Sequence, residues 1–328
     1  MDTIIVSHLR KYYSVHKKEP GLWKSLRSLV KRKYETVRAI DDINFRIGEG
    51  ELIAFIGPNG AGKTTALKCL SGLLYPDSGF VSVLGYTPWD RKPAFLKEIA
   101  FVMGQKGQLW WDLPPMETFL LNKEIYEIPP PQFRQTLDEL TELLEVADIL
   151  KIQTRKLSLG QRMKCELIAS LLHRPKVLFL DEPTIGLDVV MQKKIRDFIK
   201  SYNQKYHSTI ILTSHYMSDV RELAKRVVVI DKGEIIFDGR LVEIVEKYTD
   251  HKLISVIFSK KIDKRELKRI GRIKKFSYPR AVVIVRKQLA SLAAAELLKS
   301  FPVEDLKIEE PAIEDVIRAL FTGKNSAE

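Results

Sequence analysis

An α/β architecture with a largely parallel central sheet, followed by a small α+β unit, is predicted for this chain of 328 residues. Three observations predict it. Apolar, β-branched runs alternate with helical patterns along most of the chain, as parallel sheets require. A glycine-rich loop, GPNGAGKTT at 57–65, lies between a short apolar run and a helical pattern. The run VLFL at 177–180 has no polar alternation, as expected of a strand buried on both faces.

The elements follow in order. A strand is expected over 3–7, then a basic insert at about 16–36, then a second strand over 37–47. The segment GEGE leads to a short apolar strand at 52–56 and, past the glycine-rich loop, to a helix from 63 to about 73. YPDSGF at 75–80 reads as a turn into a strand over 80–84. From 114 to 172 the pattern is helical, with Leu137, Leu140, Leu143 and Leu144 at helical spacing and Leu167, Ile168, Leu171 and Leu172 likewise. A helix over 190–206 follows, with strands at 209–213 and 226–230. A boundary is expected at 248/249. Beyond it the pattern reads strand (253–258), helix (263–270), strand (273–276), strand (281–286), helix (288–300), strand (303–308) and helix (311–321).

Composition narrows the function classes. An apolar fraction of 45% and a charged fraction of 29% match a soluble globular protein. No stretch reaches the ~18–20 apolar residues of a membrane span. The start, MDTIIVSHLRKYY, has no hydrophobic signal core, so a cytoplasmic location is expected, with any pore on another polypeptide. Cys69 and Cys165 have no metal spacing and lie in apolar helical patterns, so free buried thiols are expected. The net charge of +12 is concentrated: residues 10–38 hold ten Lys/Arg against two Glu.

The loop fits G-x-x-x-x-G-K-[ST] in the strand–loop–helix setting that motif needs. Gly57, Pro58, Asn59, Gly60, Ala61, Gly62, Lys63, Thr64 and Thr65 are therefore candidate nucleotide contacts. Its glycines leave N–H groups free for phosphate, and the helix N-terminus favours the negative charge. Lys63 is expected to reach the β- and γ-phosphates, and Thr64 to place its hydroxyl on Mg²⁺. VLFLDEPT at 177–184 ends a buried strand in two acids. Asp181 suits Mg²⁺, and Glu182, pointing the other way, suits the attacking water. LSLGQ at 157–161 presents Ser158, the Gly160 backbone and Gln161 at the start of a long helix.

In order, the glycine-rich loop, Gln105, LSLGQ, LFLDEPT, GLD (186–188) and SH (214–215) resemble an ABC-transporter ATPase over about residues 1–245. The resemblance implies a P-loop NTPase cassette with a RecA-like parallel core, an antiparallel β subdomain and a helical subdomain at about 112–172. Residues 1–248 would form the ATPase domain and 249–328 a small α+β accessory domain. It also implies ATP and Mg²⁺ as ligands. Gln105 resembles the glutamine that touches Mg²⁺ and water, His215 the switch histidine, and Asp188 the aspartate at the dimer interface. Tyr13, in Leu-x-Lys-x-Tyr, resembles the aromatic that stacks on adenine, with Tyr12 adjacent as the alternative. Two such domains close head to tail, so a second ATPase subunit is implied, either a homodimer or a paired homologue. So are separately encoded hydrophobic permease subunits, with the chain peripheral on the cytoplasmic face of the membrane.

One residue departs from the family pattern. Leu159 stands where the usual signature has glycine, so it must take the glycine's backbone conformation or shift it. LSLGQRM, GQLWWDLP (107–114) and EPAIEDVIRALFTG (310–323) resemble exporter ATPases paired with type-2 ABC export permeases. In GLWKSLRSLVKRK (21–33), Leu22, Trp23, Leu26, Leu29 and Val30 share one helical face. A cationic amphipathic helix suits an anionic membrane surface or a permease. The other reading is a surface helix with a solvated basic face. Trp110 and Trp111 follow the Gln105 loop, and on an extended segment one would face inward and one outward. A soluble ABC ATPase acting on nucleic acid or ribosomes is the alternative function that the charge permits. Concentration of the charge in one insert makes nucleic acid the less fitting partner.

Overall fold

The computed structural model describes residues 2–16, 34–104 and 107–322. The expected amphipathic helix at 21–33 and Gln105 lie outside the described residues. Two compact units are present, residues 1–238 and 239–328.

In the first unit, β1 (Asp2–His16) and β2 (Tyr34–Gly48) pair antiparallel along their length, from Asp2↔Gly48 to His16↔Tyr34. β3 (Leu52–Ile56) leads into α1 (Lys63–Leu70), and β4 (Ser78–Val83) completes a three-stranded sheet in the order β2-β1-β4. Next come α2 (Pro93–Leu96) and β5 (Ile99–Met103). The helical stretch is α3 (Pro115–Ile125), α4 (Pro130–Leu144) and α5 (Leu159–Leu171). Then follow β6 (Val177–Asp181), α6 (Val189–Tyr206), β7 (Thr209–Thr213), α7 (Met217–Leu223), β8 (Arg226–Asp231) and β9 (Glu234–Arg240).

The central sheet has six strands in the order β5-β6-β7-β3-β8-β9, and its first five pair in parallel. β7 is buried throughout and β6 until its final aspartate, which explains their unbroken apolar runs. Left-handed Lys232 and Gly233 turn β8 back into β9, the backbone a two-residue hairpin requires. Burial of Ile53, Phe55, Phe179 and Ile211 with Ala66, Leu67 and Leu70 of α1 fixes the phosphate loop over the sheet.

The second unit comprises α8 (Leu241–Tyr248), β10 (His251–Phe258), α9 (Lys264–Leu267), β11 (Arg272–Ser277), β12 (Arg280–Arg286), α10 (Ala290–Ser300), β13 (Val303–Glu309) and α11 (Ile313–Thr322). From β10 to β13 the order is βαββαβ, with the sheet arranged β11-β12-β10-β13, the split βαβ arrangement of ferredoxin-like domains. Ile254, Val256, Phe258, Val283 and Val285 bury one sheet face against Ala290, Ala293, Ala294 and Leu297 of α10. The units divide ten residues before 248/249 because α8 packs against α11 and so belongs with the second unit.

Several expectations need correction. β1 continues to His16 rather than ending near residue 7. Its far half pairs with β2 but is largely exposed, so it carries no apolar alternation. α1 stops at Leu70, and the N–H of its cap, Ser71, returns to Leu67. β5 and β9 are additional strands. Cys69 and Cys165 are buried free thiols, with burial pushing both pKa values up to about 12.

Candidate functional site

Four neighbouring strands, β5, β6, β7 and β3, end together, because their register pairs Met103 with Asp181, Asp181 with Thr213, and Phe55 with Thr213. Ligands of parallel α/β sheets bind outside such carboxyl ends. Each strand hands the site one segment: the 57–64 loop after β3, Asp181-Glu182 after β6, Thr213-Ser214-His215 after β7, and Gly104 after β5.

Gly60 and Gly62 are left-handed, as a backbone anion cradle requires. Gly62 admits no side chain, since a Cβ there would lie 2.3 Å from the Ala39 carbonyl oxygen of β2. Lys63 is buried, and its ammonium donates to the carbonyls of Gly57 (2.7 Å) and Pro58 (2.9 Å). Burial lowers its pKa, and the nearby Glu182 and Asp181 carboxylates oppose that shift. The Thr64 hydroxyl donates to both oxygens of Asp181, at 2.9 and 3.0 Å. A hydroxyl and a carboxylate meeting at a phosphate loop form a hard-oxygen donor set that fits Mg²⁺.

Thr213, fully buried, joins the two acids. Its hydroxyl donates to Asp181 Oδ1 at 2.7 Å and accepts the Glu182 N–H at 3.0 Å. Glu182 itself lies past the strand end with φ 53°, a left-handed conformation unusual for a non-glycine residue. Its Oε1 is 2.6 Å from His215 Nε2. Strain of this kind collects at functional sites.

The Gly104 N–H donates to the Asp181 carbonyl at 2.8 Å. A Cβ on Gly104 would stand 2.0 Å from the Glu182 carbonyl oxygen. Gly104→Ala is therefore expected to force the two strand ends apart. The expected cost is roughly 1–3 kcal/mol, read as a lowered unfolding midpoint, with ATP turnover falling alongside it.

Ser158 N-caps α5: its hydroxyl accepts the Gln161 N–H at 3.2 Å, and Gln161 Oε1 accepts the Ser158 N–H at 3.0 Å. Leu159 is the first residue of α5 and is not among the left-handed residues. Asp188 N-caps α6 by accepting the Met191 N–H at 2.9 Å. These two helix starts touch: Gly160 packs on Met191, and Gly186 on Leu159. Among the described residues, no hydrogen bond joins Ser158, Gln161 or Asp188 to the 57–64 loop. Ser158, Leu159, Asp188, Val189 and Val190 are exposed.

Tyr12 and Tyr13 are now distinguished. The Tyr12 hydroxyl donates to Asp41 at 2.6 Å, which raises its pKa, whereas Tyr13 is exposed with Lys11 Nζ 5.7 Å from its ring centre. Tyr13 pairs with Val37, two residues before the Ala39 that abuts Gly62. The tryptophans depart from expectation. Trp110 and Trp111 are both more than half exposed, and Leu109 is buried in their place. The segment is a turn closed by the Leu113 N–H on the Trp110 carbonyl, so strand alternation does not apply.

A groove of about 500 Å³ is lined by Leu73, Phe101, Met103, Gln108, Ile125 and Tyr126 among others. Tyr126 stacks on His173 at 3.9 Å, and His173 Nε2 donates to the Ile99 carbonyl. Burial lowers the His173 pKa to about 4, so this wall of the groove is uncharged at neutral pH.

A model of the family "ABC transporter" matches residues 40–185 of this chain, from β2 to just past Glu182. Over these residues the chain is similar to that family. The model "EvrA-like ABC transporter, C-terminal domain" matches residues 250–309, the ferredoxin-like unit. ATP hydrolysis is the chemistry of the ATPase domain that this match spans. The ABC transporter ATP-binding protein NatA of Bacillus subtilis is 29% identical, over 70% of this chain and 92% of that protein. The bacitracin transport ATP-binding protein BcrA of Bacillus licheniformis is 31% identical, over 62% of this chain and 66% of that protein. The daunorubicin resistance ATP-binding protein DrrA3 of Streptomyces coeruleorubidus is 34% identical, over 63% and 65%. The chain thus spans just under two thirds of the length of the last two relatives. Among solved structures, the ATP-binding cassette MJ0796, dimeric in a post-hydrolysis state with ADP and Pi, is similar in fold. Its TM-score is 0.60, with 23% identity over 72% of this chain and 98% of that one.

Thr213, the last residue of β7, and Gly104, just past β5, join this constellation without having been singled out by motif reading. The hydroxyl preceding Ser214-His215 was the available signal for Thr213.

Proposed function

We propose that the chain is the ATP-hydrolysing subunit of an ABC exporter, peripheral on the cytoplasmic face of a membrane and paired with separately encoded permeases. The observation that carries this is the meeting of Thr64, Asp181, Thr213, Glu182 and His215 at three adjacent strand ends. Residues 57–65 hold the phosphates of ATP, and Tyr13 offers the exposed ring for adenine. Thr64 and Asp181, with Gln105, hold Mg²⁺, which when bound neutralises charge on the transferring phosphoryl group. Glu182 orients and polarises the water, and His215 fixes the Glu182 carboxylate and faces the γ-phosphate. Residues 1–238 form the ATPase domain and 239–328 the accessory domain.

Ser158, Gly160, Gln161 and Asp188 serve the opposite subunit. Their lack of bonds to their own phosphate loop, and the exposed apolar Leu159, Val189 and Val190 around them, support a head-to-tail dimer. The groove walled by Leu73, Phe101, Met103, Ile125 and Tyr126 takes a cytoplasmic helix of the permease. Apolar side chains with a few polar groups at its edge favour an amphipathic helix over nucleic acid. The names of the relatives BcrA and DrrA3, for bacitracin transport and daunorubicin resistance, favour export. No described helix is long and apolar enough to cross a membrane.

Affinity capture of the tagged chain from detergent-solubilised membranes tests the pairing. A multi-span membrane protein should co-purify, and Ile125→Asp with Leu73→Glu should reduce its yield several-fold. Undiminished capture by that double variant would remove the groove from the account.

A further inference from the structure

Asp219, near the start of α7, is 1% exposed, and its carboxylate is shared by three elements. Its Oδ2 accepts the hydroxyls of Thr184 (2.5 Å) and Ser214 (2.6 Å), and its Oδ1 accepts Arg196 Nη1 of α6 at 2.9 Å. Arg196, itself buried, also donates to Glu222 at 2.8 Å. Thr184 stands two residues after Glu182, and Ser214 immediately precedes His215. The Ser214 hydroxyl further accepts the Tyr216 N–H at 3.0 Å, so one oxygen brackets His215 from both sides.

These contacts close a ring. It runs from Glu182 through Thr184 to Asp219, on to Ser214 and His215, and back to Glu182 across the 2.6 Å His215–Glu182 contact. Burying a carboxylate and a guanidinium is costly, and apolar residues of similar volume often serve stability as well. What apolar packing cannot do is hold two loops at a defined hydrogen-bonding distance. The arrangement is also asymmetric in a useful way. Both hydroxyls bond to the same oxygen, Oδ2, so a shift of one loop displaces the acceptor of the other, while Arg196 anchors the carboxylate from the opposite side.

We infer that Asp219, acting through Thr184 and Ser214, is a positioning residue that sets the Glu182–His215 distance and so governs turnover rather than ATP binding. The inference rests on the catalytic roles proposed for Glu182 and His215. Substitution of Asp219 itself would strand Arg196 in the interior, so the test removes single hydroxyls and leaves the Arg196–Asp219 pair intact.

In the full chain, Ser214→Ala and Thr184→Val should each lower kcat for MgATP about tenfold with KM changed less than about twofold, the signature of an interaction made in the transition state. Thr184→Ser, which keeps the hydroxyl, should restore most of kcat. In a His215→Ala background, Ser214→Ala should cost less than about twofold, because the residue it acts through is gone. A change confined to KM would overturn the inference. So would wild-type kcat in both hydroxyl variants, or a full tenfold loss persisting without His215. Failure of the underlying catalytic reading shows separately, as wild-type turnover in Glu182→Gln.

Discussion

Glu182→Gln is expected to lower MgATP turnover by about 100- to 10,000-fold, the range for loss of a positioned general base. ATP binding should survive. The substitution keeps the shape of the side chain, and the backbone N–H of residue 182 keeps its bond to the Thr213 hydroxyl. An amide can still face His215 Nε2, so the loop remains closed. It cannot take a proton from water or carry the negative charge that orients it. Phosphate release under single-turnover conditions, with ATP binding measured on the same protein, separates the two effects. Turnover within about tenfold of wild type would remove Glu182 from the base role.

Lys63→Ala is expected to act on binding as well as on turnover. The ammonium is the cation of the loop, and it is held in place by the Gly57 and Pro58 carbonyls. A hydrogen bond to a charged group contributes roughly 1.5–3 kcal/mol, so ATP affinity should fall about 10- to 100-fold. Two carbonyls at the loop centre also lose their donor, which adds a local cost. Lys63→Arg should not rescue the loss, because a planar guanidinium does not replace a compact ammonium inside a closed loop. Titration calorimetry with ATP, in Mg²⁺, reads the effect directly.

Much of the fold was legible in the sequence where burial imposes a pattern. β7 matched residues 209–213 because every side chain of TIILT is buried in a parallel sheet. The ferredoxin-like unit was readable element by element, since apolar runs on β10 and β12 are separated by polar and helical segments. The distal half of β1 was not. Its pairing with β2 is held by backbone bonds, and its exposed side chains show no period. Trp110 and Trp111 misled because alternation holds on strands, and that segment is a turn. Leu159, where a glycine is usual, takes the first position of a helix, a place that any residue can fill.

The site divides in the same way. Lys63, Thr64, Asp181 and Glu182 belong to contiguous motifs whose chemistry follows from residue type. Thr213 and Asp219 matter through contacts across long sequence separations, Thr184 meeting Asp219 from 35 residues away. No period or spacing announces such a ring. It exists only because β6 and β7 end side by side.

The central claim is that the 57–64 loop is half of an ATP site completed by Ser158 and Gly160 of a second subunit. Light-scattering mass determination on the Glu182→Gln chain, with and without MgATP, tests it most directly. The account predicts a monomer without nucleotide, a dimer with saturating MgATP, and no dimer when Ser158→Arg is added. A chain that binds MgATP and stays monomeric at every concentration, or that dimerises equally well with Ser158→Arg, would contradict it.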